Sequence, residues 1–218
     1  MMSIKKSSMA INAKKSAIIG ISILNSHFTQ QNIQQTAELA RGQYAKIFFM
    51  LPDKPATHTL AGYGYSKQEA DRTVRRKFRV LEKRCRASVE NLRLPDAKIV
   101  RWNQFETSEN YLHFLADLQS AYHNDPDFKH DATATVRLMY EQSQYPKKQS
   151  LSLEEQVNAG LPFLLQELAF ILSSPTVLNV EGTEYLYHKD MPILSKLLAG
   201  SYQFQPLANV SFAMIVSE

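Results

Sequence analysis

Three places along the chain gather side chains able to do chemistry. Ser22 stands in Gly20-Ile21-Ser22-Ile23-Leu24-Asn25-Ser26, a hydroxyl directly after a short apolar run. In an open α/β sheet ligands bind at the carboxyl ends of strands, so a serine there is placed to meet one. Gly20, two residues earlier, removes a side chain from the same strand face and leaves room beside the backbone. Glu167 is the one acidic residue of the apolar stretch 161–170. A carboxylate on such a helix either emerges at the rim or is partly buried, and partial burial would suit it to hold an amine and then deprotonate it. Tyr187 and His188 follow at the end of a late apolar segment, where they could assist proton transfer. Each has a plainer reading: a small residue ending a strand, a rim carboxylate, a structural tyrosine.

The elements that must position these groups follow from pattern. Residues 16–22 and 45–51 form short apolar runs of strand type, the second halted by Pro52. Between them Thr29 is placed to cap a helix, with Phe28 and Ile33 at staple spacing, and Gly42 ends it. Strand, helix and strand in so short a span make a parallel crossover unit. Ser66-Lys67-Gln68-Glu69 is a capping box opening a long helix to about residue 92. A third strand is expected at 98–102, helices at 107–122, 128–145 and 152–172, late strands at 183–188 and 209–216, and a short helix at 191–199. The expectation is a basic N-terminal tail, 1–14, and a single α/β domain, 15–218.

Charge is uneven along this frame. Net charge is +4, yet residues 72–86 hold eight basic side chains against Glu82 alone, which leaves the remainder mildly acidic. On a helical wheel Arg72, Arg75, Arg76, Arg79, Lys83 and Arg86 fall within a stripe about 100° wide, opposite Val74, Phe78, Leu81, Cys85 and Leu92. Six like charges repel unless something neutralises them, and a phosphate backbone does. With no base-reading motif, the ridge fits recognition of an RNA stem by shape.

Composition narrows the class. In 218 residues, 44% hydrophobic and 21% charged side chains exclude wholesale disorder. A lone cysteine, Cys85, excludes an internal disulfide framework. The longest apolar stretch, 161–172, is short for a membrane span, so a cytoplasmic protein is expected, and a monomer is the simplest assembly. No phosphate-binding loop is present, Gly62-Tyr63-Gly64 lacks the third glycine of a dinucleotide fingerprint, and the histidines show no zinc-ligand spacing. Neither a metal nor a cofactor is expected.

Taken together, these residues resemble the cyclodipeptide synthases. The segment 19–28 is similar to that family's signature around its nucleophilic serine, including Asn25. The capping box and the arginine-rich run after it resemble the family's tRNA-binding helix. Ala159-Gly160-Leu161, then Glu167, then Tyr187-His188, followed by Asp190 and Pro192, match the second half of the active site.

The resemblance implies a Rossmann-like three-layer α/β/α domain with a mostly parallel sheet, similar to a class I aminoacyl-tRNA synthetase core without its ATP site. It implies an enzyme that uses two aminoacyl-tRNAs, and no ATP, to make a cyclic dipeptide through aminoacyl- and dipeptidyl-enzyme intermediates on Ser22. By position, Glu167 holds the aminoacyl ammonium, Tyr187 orients it or relays protons, Gly20 shapes the wall and Asn25 supports the Ser22 loop. His188 is a candidate for the last proton transfer. Ile18, Gly20 and Phe170 match the lining of the first aminoacyl pocket and imply an apolar or aromatic first residue. Phe163 departs from the family, which commonly has tyrosine four residues before the glutamate. The lost hydroxyl implies a slower enzyme unless Tyr185 or a water substitutes. The competing readings are a non-catalytic RNA-stem or tRNA-binding module of synthetase ancestry and an α/β esterase.

Overall fold

The structure, a computed structural model, describes residues 2–6, 15–204 and 209–217. These residues form six strands and seven α-helices. They are β1 (Met2–Lys6), β2 (Ser16–Gly20), α1 (Gln30–Arg41), β3 (Lys46–Leu51), α2 (Ala56–Gly62), α3 (Lys67–Asn91), β4 (Lys98–Arg101), α4 (Glu109–Asn124), α5 (Pro126–Glu141), α6 (Leu153–Val177), β5 (Thr183–Tyr187), α7 (Pro192–Leu198) and β6 (Val210–Ser217). The sheet order is β1-β6-β5-β2-β3-β4, parallel throughout except for β1, which pairs antiparallel with β6. This is the Rossmann-like α/β architecture expected from the sequence.

Strand β2 runs through the middle of the sheet, between β5 and β3, and all five of its residues are buried. A strand covered on both faces needs apolar or small side chains at every position, which Ser16-Ala17-Ile18-Ile19-Gly20 supplies. Helices α1 and α3 cover one face and α6 the other, with α2, α4 and α5 packed against α6. By length and composition α6 could cross a membrane, but most of its apolar window is buried in this packing. It runs unbroken through Pro162 and Pro175.

Two local features escaped the sequence reading. The short helix α2 has too few turns to show a period. Its backbone also approaches α5 and α6 closely: a Cβ at Gly62 or Gly160 would lie 2.1 Å or 2.7 Å from the Tyr140 hydroxyl oxygen. That hydroxyl donates to the Thr59 carbonyl at 3.1 Å.

The other feature lies in the basic N-terminal segment. Within the span read as a tail, Met2–Lys6 forms β1 and extends the sheet at its β6 edge. Residues 7–14 lie outside the described residues. Lys15, the first residue after that span, has a side chain only 9% exposed. Its Nζ lies 3.5 Å from Glu184 Oε1 and donates to Ser211 Oγ at 2.7 Å. Glu184, 1% exposed in mid-strand, also accepts from Ser211 Oγ at 2.8 Å and from the Tyr44 hydroxyl. A buried carboxylate needs this degree of pairing, because removing one partner strands the other charge. Lys15→Met should therefore lower the free energy of unfolding by about 3–5 kcal/mol, the range for a broken buried pair, measured by urea denaturation. A change below about 1 kcal/mol would place Lys15 in solvent.

Candidate active site

The carboxyl end of β2 carries the site. Beyond Gly20 the chain stays pinned to β3, since the Ile21 N–H donates to the Met50 carbonyl at 3.0 Å. It then turns, with the Asn25 N–H reaching the Ser22 carbonyl at 3.3 Å. Asn25 organises this loop from both ends of its amide. Its Oδ1 accepts the His27 backbone N–H at 2.9 Å, which leaves Nδ2 to donate to His188 Nε2 at 3.0 Å. Asn32, in the first turn of α1, donates to the His27 carbonyl at 2.7 Å. Helix α3 grips the same loop: Arg84 Nη1 donates to the Phe28 carbonyl at 2.6 Å.

Tyr187, the last residue of β5, brings its hydroxyl to the side chains of Ser22 and Asn25. Burial, and then the Glu167 charge, raises its pKa, while these two hydrogen bonds act in the opposite direction. It therefore stays a neutral phenol that can accept and pass on a proton. His188 stacks on His27 with centroids 4.0 Å apart. Burial, and then the charges of His27 and Lys189, lowers its pKa to about 3. With Nε2 accepting from Asn25, the proton sits on Nδ1, which is buried without a hydrogen-bond partner among the described residues. A neutral ring so engaged orients Asn25 and Tyr187 better than it donates protons.

Glu167 faces this group from α6. Its carboxyl is raised to about 7 by burial, opposed by a hydrogen bond from the Tyr185 hydroxyl, 2.9 Å from Oε1. Tyr185 lies on β5 two residues before Tyr187, so both rings share the α6 side of the sheet. The room created by Gly20 is taken by this phenol: a Cβ at Gly20 would lie 2.1 Å from the Tyr185 oxygen. Ile18 and Phe170 are fully buried below it, with the Phe170 ring against Phe105 at 4.6 Å and Trp102 at 6.0 Å. Phe163, one turn before Glu167, is half-buried. Tyr185, named as a possible substitute for the hydroxyl absent at 163, does bond Glu167. Ser22, Asn25, Tyr187, His188 and Glu167 are accordingly brought together from three separated segments. Among the described residues, no group of three His, Cys, Asp or Glu side chains could hold a metal ion.

The sequence profile of the cyclodipeptide synthases matches residues 4–217. The chain belongs to this family. Among its relatives, the cyclo(L-leucyl-L-leucyl) synthase of Photorhabdus laumondii is 24% identical, over 91% of this chain and 87% of that protein. The cyclo(L-leucyl-L-phenylalanyl) synthase of Streptomyces noursei is 25% identical, over 91% and 83%. In fold, the Staphylococcus haemolyticus cyclodipeptide synthase superposes with a TM-score of 0.82 at 18% identity, covering 94% of this chain and 92% of that one. The tyrosyl-tRNA synthetase of Archaeoglobus fulgidus gives 0.53 at 14% identity, covering 93% and 55%.

In this family member the cationic ridge lies on α3. Its buried residues are Ala70, Val74, Phe78, Leu81, Cys85 and Ser88, and Arg72, Arg75, Arg76, Arg79, Lys83 and Arg86 are all exposed. One of the six differs from expectation. Arg86 is ion-paired with Glu82 at 2.8 Å, and Arg101 pairs with the same carboxylate, so it is partly neutralised within the fold. Arg84, off the stripe in the sequence, turned out to be the residue that ties α3 to the Ser22 loop. Its angular separation from the other cations was the available signal. Tyr185, named from the sequence only as a possible substitute hydroxyl, shares the Tyr187 face by period-two spacing.

Because the Glu167 carboxyl lies above its ordinary value of 4.5, its contribution to stability is complete below that pH and is lost as pH rises through about 7. Wild-type protein should therefore lose melting temperature between pH 5 and 8 relative to Glu167→Gln. Parallel melting curves across that range would show that the carboxyl is not raised.

Proposed function

We propose that this chain joins the aminoacyl groups of two aminoacyl-tRNAs into a cyclic dipeptide, with Ser22 as covalent carrier. The observation that supports it most is the convergence of Ser22, Tyr187 and Glu167 at the carboxyl end of the central strand, where burial raises the Glu167 carboxyl toward neutrality. Family membership and the free cations of α3 agree with it.

In the first step Ser22 Oγ attacks the ester carbonyl of one aminoacyl-tRNA. Its proton passes by way of Tyr187 to the departing ribose oxygen, and an aminoacyl ester of Ser22 remains. Glu167, as carboxylate, holds the ammonium of that group and then takes a proton from it. The freed amine attacks the ester of the second aminoacyl-tRNA, forming a peptide bond and releasing the second tRNA. The attack must run in this sense for the dipeptide to remain on Ser22; the reverse sense would leave it on tRNA. The terminal amine then attacks the Ser22 ester, closes the six-membered ring and returns the proton to Ser22 Oγ. Transfer to Ser22 exchanges one ester for another, and the two later steps each convert an ester into an amide, so the overall reaction runs downhill without ATP.

The docking reading assigns tRNA phosphates to Arg72, Arg75, Arg76, Arg79 and Lys83, with Arg86 a weaker contributor because of Glu82. Ile18, Gly20 and Phe170 line the floor beneath the first aminoacyl group. The sequence-based alternative, an RNA-binding module without catalysis, requires charged tRNA to remain unchanged.

Incubation with a mixture of charged tRNAs should give diketopiperazines by mass spectrometry, and intact-mass analysis should detect an acylated protein. Ser22→Ala should abolish both while retaining tRNA binding; cyclic product from this variant at the wild-type rate would eliminate the covalent scheme. Glu167→Gln should slow turnover about 10²–10⁴-fold, the range for an acid–base group. For docking, the log–log salt slope of tRNA binding should be near −4 to −5, at about 0.9 per phosphate contact. Arg76→Ala with Arg79→Ala should flatten it by about 2, and an unaltered slope would move the RNA elsewhere.

A further inference from the structure

Beside the N-terminal end of the cationic ridge, three tyrosines gather from two segments that the ridge does not include. Tyr63 and Tyr65 lie in the turn between α2 and α3, and Tyr145 in the irregular segment between α5 and α6. The Tyr145 ring lies 5.2 Å from the Tyr63 ring and 6.2 Å from the Tyr65 ring, centroid to centroid. Two ammonium groups sit over these rings: Lys77 Nζ is 5.2 Å from the Tyr145 centroid and Lys148 Nζ 5.7 Å from that of Tyr65. Tyr63 is buried, whereas Tyr65 and Tyr145 are half-buried and Lys148 is exposed. Backbone contacts fix the arrangement. The Lys148 N–H donates to the Tyr63 carbonyl at 2.8 Å, and the Tyr145 N–H to Ser143 Oγ at 3.1 Å. Gly64, at a φ of 78°, lets the two segments meet, since a Cβ there would lie 2.6 Å from the Gln149 nitrogen. The place of this patch in the fold decides what can reach it. Helices α3 and α6 each end a few residues before a parallel strand begins, β4 and β5, so both start at the opposite, carboxyl edge of the sheet. That edge carries Ser22.

We propose that Tyr65 and Tyr145, with Lys77 and Lys148, form a platform for the unpaired 3′ end of the tRNA, the rings stacking on its bases and the ammonium groups taking its phosphates. The proposal rests on the RNA-docking reading of α3 above and continues that surface toward Ser22. The exposed stripe of α3 carries guanidinium and ammonium groups but no aromatic residue, which suits the phosphates of a stem whose bases are already stacked on one another. An unpaired end exposes its base faces, and phenol rings interleaved with cations are the combination that receives it. Stacking a base requires the lysine now over each ring to move aside. An ammonium over a ring near solvent is held weakly, and the arriving phosphate offers it a new partner. Glu69 does not prevent this, because its carboxylate lies 3.9 Å from Lys148 Nζ with both side chains about half exposed.

The test measures binding of full-length protein to two uncharged RNAs by fluorescence anisotropy: an intact tRNA, and the same tRNA trimmed of its unpaired 3′ nucleotides. Neither requires catalysis. Wild type should bind the intact RNA about tenfold more tightly than the trimmed one, as stacking of one or two bases implies. Tyr65→Ala combined with Tyr145→Ala should remove most of that difference while leaving affinity for the trimmed RNA within about twofold. Tyr65→Phe combined with Tyr145→Phe should keep it, since the rings remain. Lys148→Ala should lower the log–log salt slope by about 1 for the intact RNA only. Equal wild-type affinity for the two RNAs, or a loss in the double alanine variant that falls equally on both, would overturn the platform and leave the α3 ridge standing. If wild type binds neither RNA, the ridge reading itself fails and the platform with it.

Discussion

The site is organised around a carboxyl that the fold partly shields from water. Glu167 extends from an apolar helix onto the face of a buried parallel sheet, where ionisation is costly and a single phenolic hydroxyl is its hydrogen-bond donor. This balance leaves the carboxyl near neutrality in its proton affinity instead of fully ionised. For the proposed role, a fully solvated glutamate would take a proton from an ammonium less readily, and one without the Tyr185 bond would be harder to ionise. Gly20 belongs to the same arrangement, because any larger residue would displace the hydroxyl that tunes the carboxyl.

A second constraint is the rigidity of the Ser22 loop. The turn after β2 has no regular secondary structure, so its conformation depends on side chains that bond its backbone. Asn25 bridges within it and to His188, Asn32 holds it from α1, and Arg84 holds it from α3. The last bond links the proposed RNA-binding helix directly to the loop that carries the proposed nucleophile. One face of α3 contributes to the core, one carries the free cations, and Arg84 between them braces the loop.

The described residues divide the work of charge in two. Lys15, Glu184, Tyr44 and Ser211 form a buried polar cluster on the α1 side of the sheet, remote from Ser22 in the strand direction. The cations of α3 remain mostly in solvent, and only Arg86 is drawn into an ion pair with Glu82. Lysines and arginines that look alike in a charge count thus serve opposite ends. Burial decides which of them is neutralised by the protein and which is left for a polyanion.

Much of this was legible in the sequence, for local reasons. The capping box at Ser66, the Thr29 cap, the apolar runs of β2 and β3 and the period of α3 are short-range signals, set by backbone hydrogen bonding and by which face an apolar residue needs to bury. The spacing of Ser22, Glu167 and Tyr187 against known motifs pointed to the family. What tertiary structure alone decided concerns contacts between segments far apart in the chain. The Tyr185 ring fills the Gly20 notch, Arg84 faces inward, Lys15 is buried, Met2–Lys6 joins the sheet and Arg86 meets Glu82 alongside Arg101. Pattern and propensity report the surroundings of one segment at a time, whereas the partner a side chain meets across the fold depends on how sheet and helices pack together.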